Sequence, residues 1–268
     1  MIQPIKIFGG KHYLAHKIIK LMPPHLTYIE PYAGGLAVLL AKPYEGISEI
    51  ANDIDGRLMN FWKVLQSEER FTEFKRVVDA VPFSEAEYNY SSDNYPEGQF
   101  VQNAVNFFVS ARQSLAGRMK CFASISKNRV RRGMNEQVSA WLTAVEGLPE
   151  VHARLKRVLL LNQGGLEVIR KFADNAHTLQ YLDPTYLHET RISKNIYQYE
   201  MDRQDHEDLL KEITADSVKC KIMLSGYDSE LYDNYLGSWR KVVFPVSNSS
   251  SHSKKKPIKN EVVWCNFR

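Results

Sequence analysis

Tyr181-Leu182-Asp183-Pro184-Thr185-Tyr186 carries the clearest structural signal in the chain. An apolar, β-prone run from Thr178 to Leu182 ends abruptly there in an acid, a proline, a small residue and an aromatic. This pattern predicts a buried strand that delivers a carboxylate and a ring to the carboxyl edge of a sheet, because proline cannot continue the hydrogen-bonding ladder. In open α/β sheets that edge is where ligands bind.

A second transition from strand to loop lies nearer the amino terminus. Thr27-Tyr28-Ile29-Glu30 is predicted as a strand, Pro31-Tyr32-Ala33-Gly34-Gly35 as a tight loop, and Leu36 to Ala41 as the start of a helix. This order is typical of sites that bind nucleoside cofactors. The loop has neither the dinucleotide pattern G-x-G-x-x-G nor the Gly-Lys-Ser/Thr of a P-loop, which disfavours a Rossmann oxidoreductase.

Two further stretches fit the same edge of the sheet. Ile47 to Ala51 is predicted as a strand ending in Asn52-Asp53-Ile54-Asp55, where an acid can accept hydrogen bonds from ribose hydroxyls. An acid that caps a helix explains Asp53 or Asp55 equally well. In Phe8-Gly9-Gly10-Lys11 the paired glycines allow a ligand close to the backbone and the lysine can meet an anion, although a plain turn explains the same residues.

The composition is that of an ordinary globular protein, with 44% hydrophobic and 25% charged residues among 268. No apolar run of about 18 residues predicts a membrane span, and Met1 to Lys6 lacks the apolar core of a signal peptide. Cys121, Cys220 and Cys265 are scattered, which indicates a reducing, cytoplasmic location, no cysteine-based zinc site and no expected metal. The net charge of +4 says little about partners, so the local distribution of charge matters more.

A helix is predicted from His12 to Met22. Helical patterns dominate from Gly56 to about Arg157, divided by a turn-rich stretch at 91–96, and an alternation of strands and helices returns after that. The later strands are predicted at 157–162, 222–227, 240–246 and 261–267, and the later helices at 166–173 and 202–213. The last two strands are expected to pair in an antiparallel hairpin. The whole pattern predicts an α/β fold that carries a mainly helical insertion.

One segment of the helical part is strongly basic. Residues 118–133 hold six basic residues and no acid, interleaved with polar side chains that can form hydrogen bonds. This is plausible for a loop that contacts phosphates and bases, and a merely solvated basic loop is the alternative. The candidate DNA contacts are Arg118, Lys120, Lys127, Arg129, Arg131 and Arg132. The polar loop 247–259 adds Lys254, Lys255 and Lys256, which suit a polyanion or simply solvent.

These pieces suit a ligand with an adenosine, an amino-acid tail and a transferable methyl group. Gly34-Gly35 would let it lie against the backbone, Asp53 would hold the ribose, and the Gly9-Gly10 amides or Lys11 would meet the tail carboxylate. An exocyclic amino group of adenine is a poor nucleophile, because its lone pair is delocalised into the ring. The Asp183 carboxylate and the Pro184 carbonyl could both accept from that amino group and localise the lone pair, while Tyr186 stacks on a flipped-out base.

In these motifs the chain resembles the bacterial and phage site-specific DNA adenine methyltransferases. That family has an Asp-Pro-Pro-Tyr motif, here Asp183-Pro184-Thr185-Tyr186, with a helical target-recognition insertion before it. Leu224-Ser225-Gly226-Tyr227 and Glu261-Val262-Val263-Trp264 also fit its later strands, so the resemblance extends over nearly the whole chain. It implies a Rossmann-like methyltransferase sheet with helices on both faces and a C-terminal antiparallel hairpin. Residues 1–56 and 157–268 would form the catalytic domain and 57–156 the recognition insertion.

The resemblance also implies S-adenosylmethionine as methyl donor, no metal, base flipping, and double-stranded DNA as the partner of a monomer or weak dimer. Asp183, Pro184 and Tyr186 would be catalytic. Near Ile7 the relatives often have an aromatic side chain, so Ile7 would contribute packing or backbone contacts. The implied cofactor-binding residues are Ile7, Gly9, Gly10, Lys11, Glu30, Tyr32, Gly34, Gly35, Asp53 and Asp183.

Thr185 departs from the family pattern, which has a second proline there. Proline would stiffen the turn that aims the Pro184 carbonyl and the Tyr186 ring, so we expect catalysis to survive in a weakened form and Thr185→Pro to raise it. Two alternatives stay open at this point. One is a DNA-binding homologue that has lost activity through Thr185, and the other is the same chemistry on the exocyclic amine of cytosine or on RNA.

Several other residues have ordinary explanations. Trp62, Trp141, Trp239 and Trp264 are predicted to pack, and His206 to be structural. His188 beside Glu189 has no further histidine or cysteine at metal-ligand spacing. Tyr227 fits a place beside the base or cofactor as well as a place in the core.

Overall fold

A computed structural model describes residues 3–123, 125–190, 198–247 and 258–268. It contains a seven-stranded sheet with the strand order β5-β2-β1-β6-β7-β9-β8, and a separate two-stranded sheet of β3 and β4. The strands are β1 (Thr27–Glu30), β2 (Ser48–Asn52), β3 (Val130–Arg131), β4 (Met134–Asn135), β5 (Val158–Leu161), β6 (Thr178–Leu182), β7 (Lys221–Gly226), β8 (Arg240–Ser247) and β9 (Ile258–Cys265).

Helices alternate with the strands along much of the chain. Their bounds are α1 (Ala15–Ile19), α2 (Ala37–Ala41), α3 (Gly56–Gln66), α4 (Glu68–Ala80), α5 (Glu85–Asp93), α6 (Phe100–Gln113), α7 (Glu136–Glu146), α8 (Leu148–Leu155), α9 (Gly165–Lys171), α10 (Arg203–Ile213) and α11 (Glu230–Leu236). Among the described residues, no helix is long and apolar enough to cross a membrane.

The pairing of the strands confirms the predicted α/β class. Strand β1 is parallel to β2 and to β6, and β6 is parallel to β7. Strand β9 is antiparallel to both β7 and β8, so the predicted C-terminal antiparallel pair is also confirmed. Every residue of β6 is buried, as expected for a strand in the interior of a parallel sheet.

The chain divides into two compact units. The first comprises residues 1–20, 34–43 and 53–162, and the second comprises 21–33, 44–52 and 163–268. The helical residues that we predicted as an insertion, 57–156, fall within the first unit. The predicted domain boundaries themselves stay a prediction.

The core of the first unit is built around an aromatic cluster. Phe61 of α3, Phe74 of α4, Phe107 and Phe108 of α6, and Trp141 of α7 are all buried. The ring of Phe108 lies 5.9 Å from that of Phe61, 5.8 Å from that of Phe74 and 5.1 Å from that of Trp141. Aromatic residues at helical spacing in α3, α4 and α6 therefore supply the apolar faces on which these helices pack.

We expect Phe108→Ala to destabilise the protein by about 3 to 5 kcal/mol, because the fully buried ring would leave a cavity among three other rings. Phe100→Ala, on the same helix, is the matched control, since its side chain is 53% exposed. Urea unfolding of both variants beside the wild type measures the difference. Equal losses of stability from the two substitutions would contradict the assignment of this cluster as the core.

The second unit packs α9, α10 and α11 on strands of the sheet. Leu209, Leu210 and Ile213 of α10 share one buried cluster with Leu224 of β7 and Trp264 of β9. A capping box starts α10, with Asp202 and Asp205 each accepting from the other's backbone N–H. His206 is buried in this unit, and its Nδ1 lies 2.9 Å from the hydroxyl of Tyr232, in agreement with a structural role.

Three local features differ from the sequence-based expectation. The predicted helix from His12 to Met22 is reduced to α1, five residues long. The turn-rich stretch at 91–96 contains the end of α5. The basic segment ends in β3 and the turn of the β3–β4 hairpin, in which Arg132 has φ 55° and Gly133 has φ 72°, both in the left-handed region.

Candidate active site

The carboxyl ends of four parallel strands meet at one edge of the sheet in the second unit. Strands β2, β1, β6 and β7 run in the same direction, so their last residues and the loops that follow share this edge. The edge thus receives Glu30, the last residue of β1, with Asp183 after β6 and Tyr227 after β7. Glu30 and Asp183 are residues that the sequence predicted for a common site, and Tyr227 was left open between this site and the core.

Asn52, the last residue of β2, holds two loops at this edge. Its side-chain Nδ2 donates to the carbonyls of Pro31 and Gln163, at 2.9 and 3.0 Å, and its Oδ1 accepts from the Gln163 N–H at 2.9 Å. Its backbone carbonyl accepts from the Ala33 N–H at 2.8 Å. Asn52 is fully buried, so these bonds fix the backbone of the loop that follows β1. No pattern in the sequence predicted this role for Asn52.

Tyr186 is anchored by two acids and a second ring. Its hydroxyl donates to Oε2 of Glu261 at 2.6 Å, and lies 3.4 Å from Oδ1 of Asp183. Its ring lies 4.6 Å from that of Tyr227 at an angle of 75°. Burial, followed by the charges of Asp183 and Glu261, holds the pKa of Tyr186 well above its usual value. Tyr186 therefore stays a hydrogen-bond donor, and its ring orientation is set by Glu261 and Tyr227.

Glu261 is a site residue that sequence reasoning missed. Its strand, β9, runs antiparallel to β7, and Val262 pairs with Gly226 at the end of β7. Glu261 therefore lies at the same edge as Tyr227. Because β9 is antiparallel to β7, Glu261 comes before the residues of β9 that pair with β7, whereas Tyr227 comes after the end of β7. The only signal in the sequence was an acid at the head of the apolar run Glu261-Val262-Val263-Trp264.

Two further buried tyrosines lie within the strands that end at this edge, Tyr28 in β1 and Tyr181 in β6. The Tyr28 hydroxyl donates to Oε1 of Glu30 at 2.8 Å, and the Tyr181 hydroxyl lies 2.8 Å from Oγ of Ser225. Burial raises the pKa of both tyrosines, Tyr28 with a further contribution from Glu30 and Tyr181 with one from Asp183. Glu30 is itself buried, so a hydrogen bond from Tyr28 helps to stabilise its carboxyl group there.

The ring of Tyr32 lies against the first residue of α9. A Cβ atom at Gly165 would come within 2.5 Å of Cε1 of Tyr32, which no side chain tolerates. Glycine at position 165 is thus required for Tyr32 to occupy its place in the loop after β1. Tyr32 is half-buried, so part of its ring is accessible.

In the first unit, Asp53 and Asp55 have different roles. The Asp53 carboxylate accepts from the Gly34 N–H at 2.9 Å and from the Asp55 N–H at 3.0 Å. Asp55 caps α3, accepting from the N–H groups of Arg57 and Leu58. The helix-cap explanation therefore applies to Asp55, while Asp53 fixes Gly34. Burial raises the pKa of Asp53, and its hydrogen bonds from backbone N–H groups oppose that rise.

Both backbone polar groups of Gly34 are hydrogen-bonded. Asp53 accepts from its N–H, and Nε1 of Trp62 donates to its carbonyl at 3.1 Å. Its φ of 47° is in the left-handed region that favours glycine. A Cβ atom at Gly34 would meet no atom within 4 Å, so open space lies beside this backbone. This is the geometry that a flat ligand lying against a glycine requires.

The structure brings the residues of the first glycine pair together with Gly35. Gly10 N–H donates to the Ile7 carbonyl at 3.0 Å, which closes a tight turn, and Nζ of Lys11 donates to the Gly9 carbonyl at 2.8 Å. A Cβ at Gly35 would clash with the side-chain amide of Gln3, which donates to the Gly35 carbonyl at 2.7 Å, and would lie 3.9 Å from Cδ1 of Ile7. Ile7, Gly9, Gly10, Lys11 and Gly35 thus form one local group, in which Lys11 is buried.

A family model for the D12 class N6 adenine-specific DNA methyltransferases matches residues 8–246. The chain belongs to this family. It is a methyltransferase, which confirms the resemblance drawn from its motifs. The roles of individual residues stay predictions.

Comparison with other proteins gives weaker likenesses. No curated protein sequence matches this D12-class chain. Among solved structures it is similar to the rRNA methyltransferase aviRa from Streptomyces viridochromogenes, with 12% identity, a TM-score of 0.38, and coverage of 98% of this chain and 87% of that one. It is also similar to a SAM-dependent methyltransferase from Agrobacterium tumefaciens, with 8% identity, a TM-score of 0.34, and coverage of 95% and 59%.

Thr185, where the D12-class chain departs from the Asp-Pro-Pro-Tyr motif, makes a contact that proline could not make. Its hydroxyl Oγ1 accepts from the Met201 N–H at 3.0 Å. The threonine thus ties the loop after β6 to the residues before α10. This hydrogen bond compensates in part for the rigidity that the second proline would have supplied.

We expect Thr185→Val to lower kcat by about three- to tenfold, because the Met201 N–H would lose its acceptor and the loop would lose its tie. Thr185→Ser keeps the hydroxyl and should recover most of the activity. Thr185→Pro changes both stiffness and hydrogen bonding, so the valine and serine pair is the cleaner comparison. Equal activities of these two variants would show that the hydroxyl has no part in aligning the loop.

The candidate DNA contacts of this methyltransferase differ in their contacts with other side chains of the protein and in their exposure. Arg132 donates to both carboxylate oxygens of Glu146, at 3.0 and 2.9 Å, and the guanidinium of Arg118 lies 4.8 Å from the centre of the Phe8 ring. Arg129 is 80% exposed and lies 3.6 Å from Glu136. The other exposed members are Lys120, Lys127 and Arg131. Lys254, Lys255 and Lys256 lie outside the described residues.

The remaining candidates behave as ordinary structural residues. Trp62, Trp141 and Trp264 are buried. Nε2 of His188 lies 3.4 Å from a carboxylate oxygen of Glu200. In the described part of the chain, no group of three or more potential metal ligands comes together. Tyr227, by contrast, belongs to the site through its contact with the Tyr186 ring.

Proposed function

We propose that this chain transfers the methyl group of S-adenosylmethionine to the exocyclic N6 amino group of an adenine in a short duplex DNA sequence. The family match supports the reaction class. The observation that carries the proposal is the loop after β6, where Asp183, Pro184 and a fixed Tyr186 ring stand together at the carboxyl edge of the sheet.

The glycine loops are the proposed place for the cofactor. The open side of Gly34 suits the flat adenosine, and Gly35 lies beside Ile7. Asp53 accepts hydrogen bonds from the ribose hydroxyls, and Tyr32 presents part of its ring. When bound, S-adenosylmethionine supplies an electrophilic methyl group.

The charged tail of the cofactor needs partners of both signs. The backbone amide of Gly9, with the positive charge of Lys11 beside it, suits a carboxylate, while the Gly10 amide donates to the Ile7 carbonyl and closes the turn. Glu30 offers a carboxyl group for the tail ammonium, and Asp183 borders the same edge of the sheet.

Three residues act on the substrate base in this proposal. The Asp183 carboxylate and the Pro184 carbonyl accept hydrogen bonds from the adenine amino group and localise its lone pair toward the methyl donor. Tyr186 stacks on the base and holds it in position for attack. The reacting nitrogen loses a proton when it gains the methyl group, and Asp183 is the nearest acceptor for it. Adenine inside a duplex cannot reach such a loop, so the base must flip out of the helix.

The helical part of the chain, 57–156, is proposed to recognise the target sequence. Its basic segment presents exposed cations that can pair with phosphates. We include Lys254, Lys255 and Lys256 as further phosphate contacts on the basis of their sequence alone.

The experiment that tests the function is transfer of labelled methyl from S-adenosylmethionine to unmethylated duplex DNA, followed by identification of the product nucleoside. N6-methyladenine in duplex DNA is the expected product. Methylcytosine, or methylation confined to RNA, would replace the proposed acceptor with one of the two alternatives. Tight binding of cofactor and DNA without any transfer would identify a homologue that has lost its activity.

A further inference from the structure

One phenolic hydroxyl stands between two carboxylates at the candidate active site. The Tyr186 oxygen lies 2.6 Å from Oε2 of Glu261 and 3.4 Å from Oδ1 of Asp183. A phenol has a single proton to donate, so it can form one strong hydrogen bond at a time. The shorter distance is that of a charge-assisted O–H···O bond, and the longer one is near the limit for any hydrogen bond.

From this geometry we propose that Glu261 is a positioning residue, which accepts the hydrogen bond of the Tyr186 hydroxyl and thereby keeps Asp183 as an acceptor for the substrate amino group. The inference rests on the proposed methyl transfer. It adds a residue from β9, a strand to which that reaction scheme gives no role.

The consequence of losing Glu261 follows from the same distances. A buried hydroxyl without an acceptor is unfavourable, so the Tyr186 hydroxyl would donate its hydrogen bond to Oδ1 of Asp183 instead. A movement of less than 1 Å would shorten that distance from 3.4 Å to the length of a strong hydrogen bond. Asp183 would then accept from the tyrosine in competition with the amino group. The reacting lone pair would be less localised, and the Tyr186 ring would move with its hydroxyl.

The sheet gives Glu261 a rigid position for this task. Val262, its neighbour, is paired with Gly226, and the Glu261 side chain is only 5% exposed. Tyr227 also forms a hydrogen bond with Glu261 and packs edge-on to the Tyr186 ring. Two tyrosines therefore share one carboxyl group, and an experiment must separate the effect on Tyr186 from the effect on Tyr227.

A double-mutant cycle makes that separation. We expect Glu261→Ala to lower kcat by about tenfold or more, with KM for DNA and for S-adenosylmethionine changed less than about threefold. In a protein that already carries Tyr186→Phe, the same substitution should lower kcat less than about threefold, because no hydroxyl remains to turn toward Asp183. Glu261→Gln should retain more activity than Glu261→Ala, since its amide oxygen can still accept the hydrogen bond of the Tyr186 hydroxyl.

Three outcomes would overturn the proposal. They are equal losses of activity with and without the Tyr186 hydroxyl, an effect confined to KM, and a coupling with Tyr227→Phe in place of Tyr186→Phe. Thermal unfolding of every variant identifies loss of the fold, and Glu261→Met, which fills the buried volume without accepting a proton, replaces the alanine variant if that one does not fold.

The identity of the product separates this proposal from the proposed function. The product nucleoside of the wild type identifies the acceptor base, and a product other than N6-methyladenine overturns the proposed function. The ratio of kcat values in the cycle is measured with whichever base the wild type methylates. If the wild type transfers no methyl group at all, both proposals are overturned, because Glu261 would then have no reaction to serve.

Discussion

Asp183→Ala is expected to lower the rate of methyl transfer by about a hundred- to a thousandfold, the range found when one preorganised hydrogen-bonding group at the reacting atoms is removed. The carboxylate follows β6 directly and is partly buried, so water replaces it poorly. Without it the adenine nitrogen keeps its lone pair in the ring, and its proton has no nearby acceptor. Affinity for duplex DNA should change little, because the candidate phosphate contacts lie in a different part of the chain. Single-turnover kinetics with saturating DNA and cofactor measure the chemical step.

Two variants give this prediction its controls. Asp183→Asn keeps an oxygen acceptor without the charge, so its rate should lie between those of the wild type and the alanine variant. Asp208→Ala makes the same truncation on an exposed turn of α10 and should leave the rate unchanged. A decrease of less than about tenfold in Asp183→Ala would place the essential acceptor elsewhere.

The sequence predicted the strands of the sheet well wherever their residue pattern fitted a strand and no other structure. The run before Asp183 is apolar, β-prone and stopped by proline, and it forms the fully buried β6. The strand that begins at Arg240 and the strand that ends at Cys265 pair in the predicted antiparallel manner. The end of α5 was missed because Ser91-Ser92-Asp93 resembles a turn, and neighbouring helices rather than local propensity stabilise it there.

Site residues that belong to one local strand or turn could be predicted from the sequence. Contacts between residues that are distant in sequence, such as those set by the pairing of strands, could not. Asp183 and the glycines stand out as local motifs. Which of Asp53 and Asp55 caps the helix depends on a bond from Gly34, nineteen residues away from Asp53. Glu261 reaches Tyr186 across 75 residues of sequence, through the pairing of β9 with β7. No spacing rule in the sequence could reveal that interaction.

Removal of three exposed cations from the basic segment should weaken DNA binding more than any other surface change. We expect the combined substitution of Lys127, Arg129 and Arg131 by alanine to lower the affinity for duplex DNA by about a hundredfold at low salt. Arg132 is kept because it donates two hydrogen bonds to Glu146, and Arg118 because it lies over Phe8, whereas Arg129 lies 3.6 Å from Glu136 but is 80% exposed. The slope of log affinity against log salt should fall by about one for each phosphate that the variant no longer neutralises.

The matched control removes the same charge from the edge of the sheet where the parallel strands begin. Lys171 and Lys211 lie in the last turns of α9 and α10, and Lys219 lies just before β7, so all three are near the amino ends of the strands. Substituting these exposed lysines by alanine should leave DNA affinity within about threefold, since net charge alone steers association weakly at moderate salt. Equal decreases in affinity in the two triple variants would show that overall charge, and not the basic segment, attracts DNA. A decrease in the first variant that varies with the target sequence would further identify a base-reading arginine, because phosphate contacts weaken all sequences alike when they are removed.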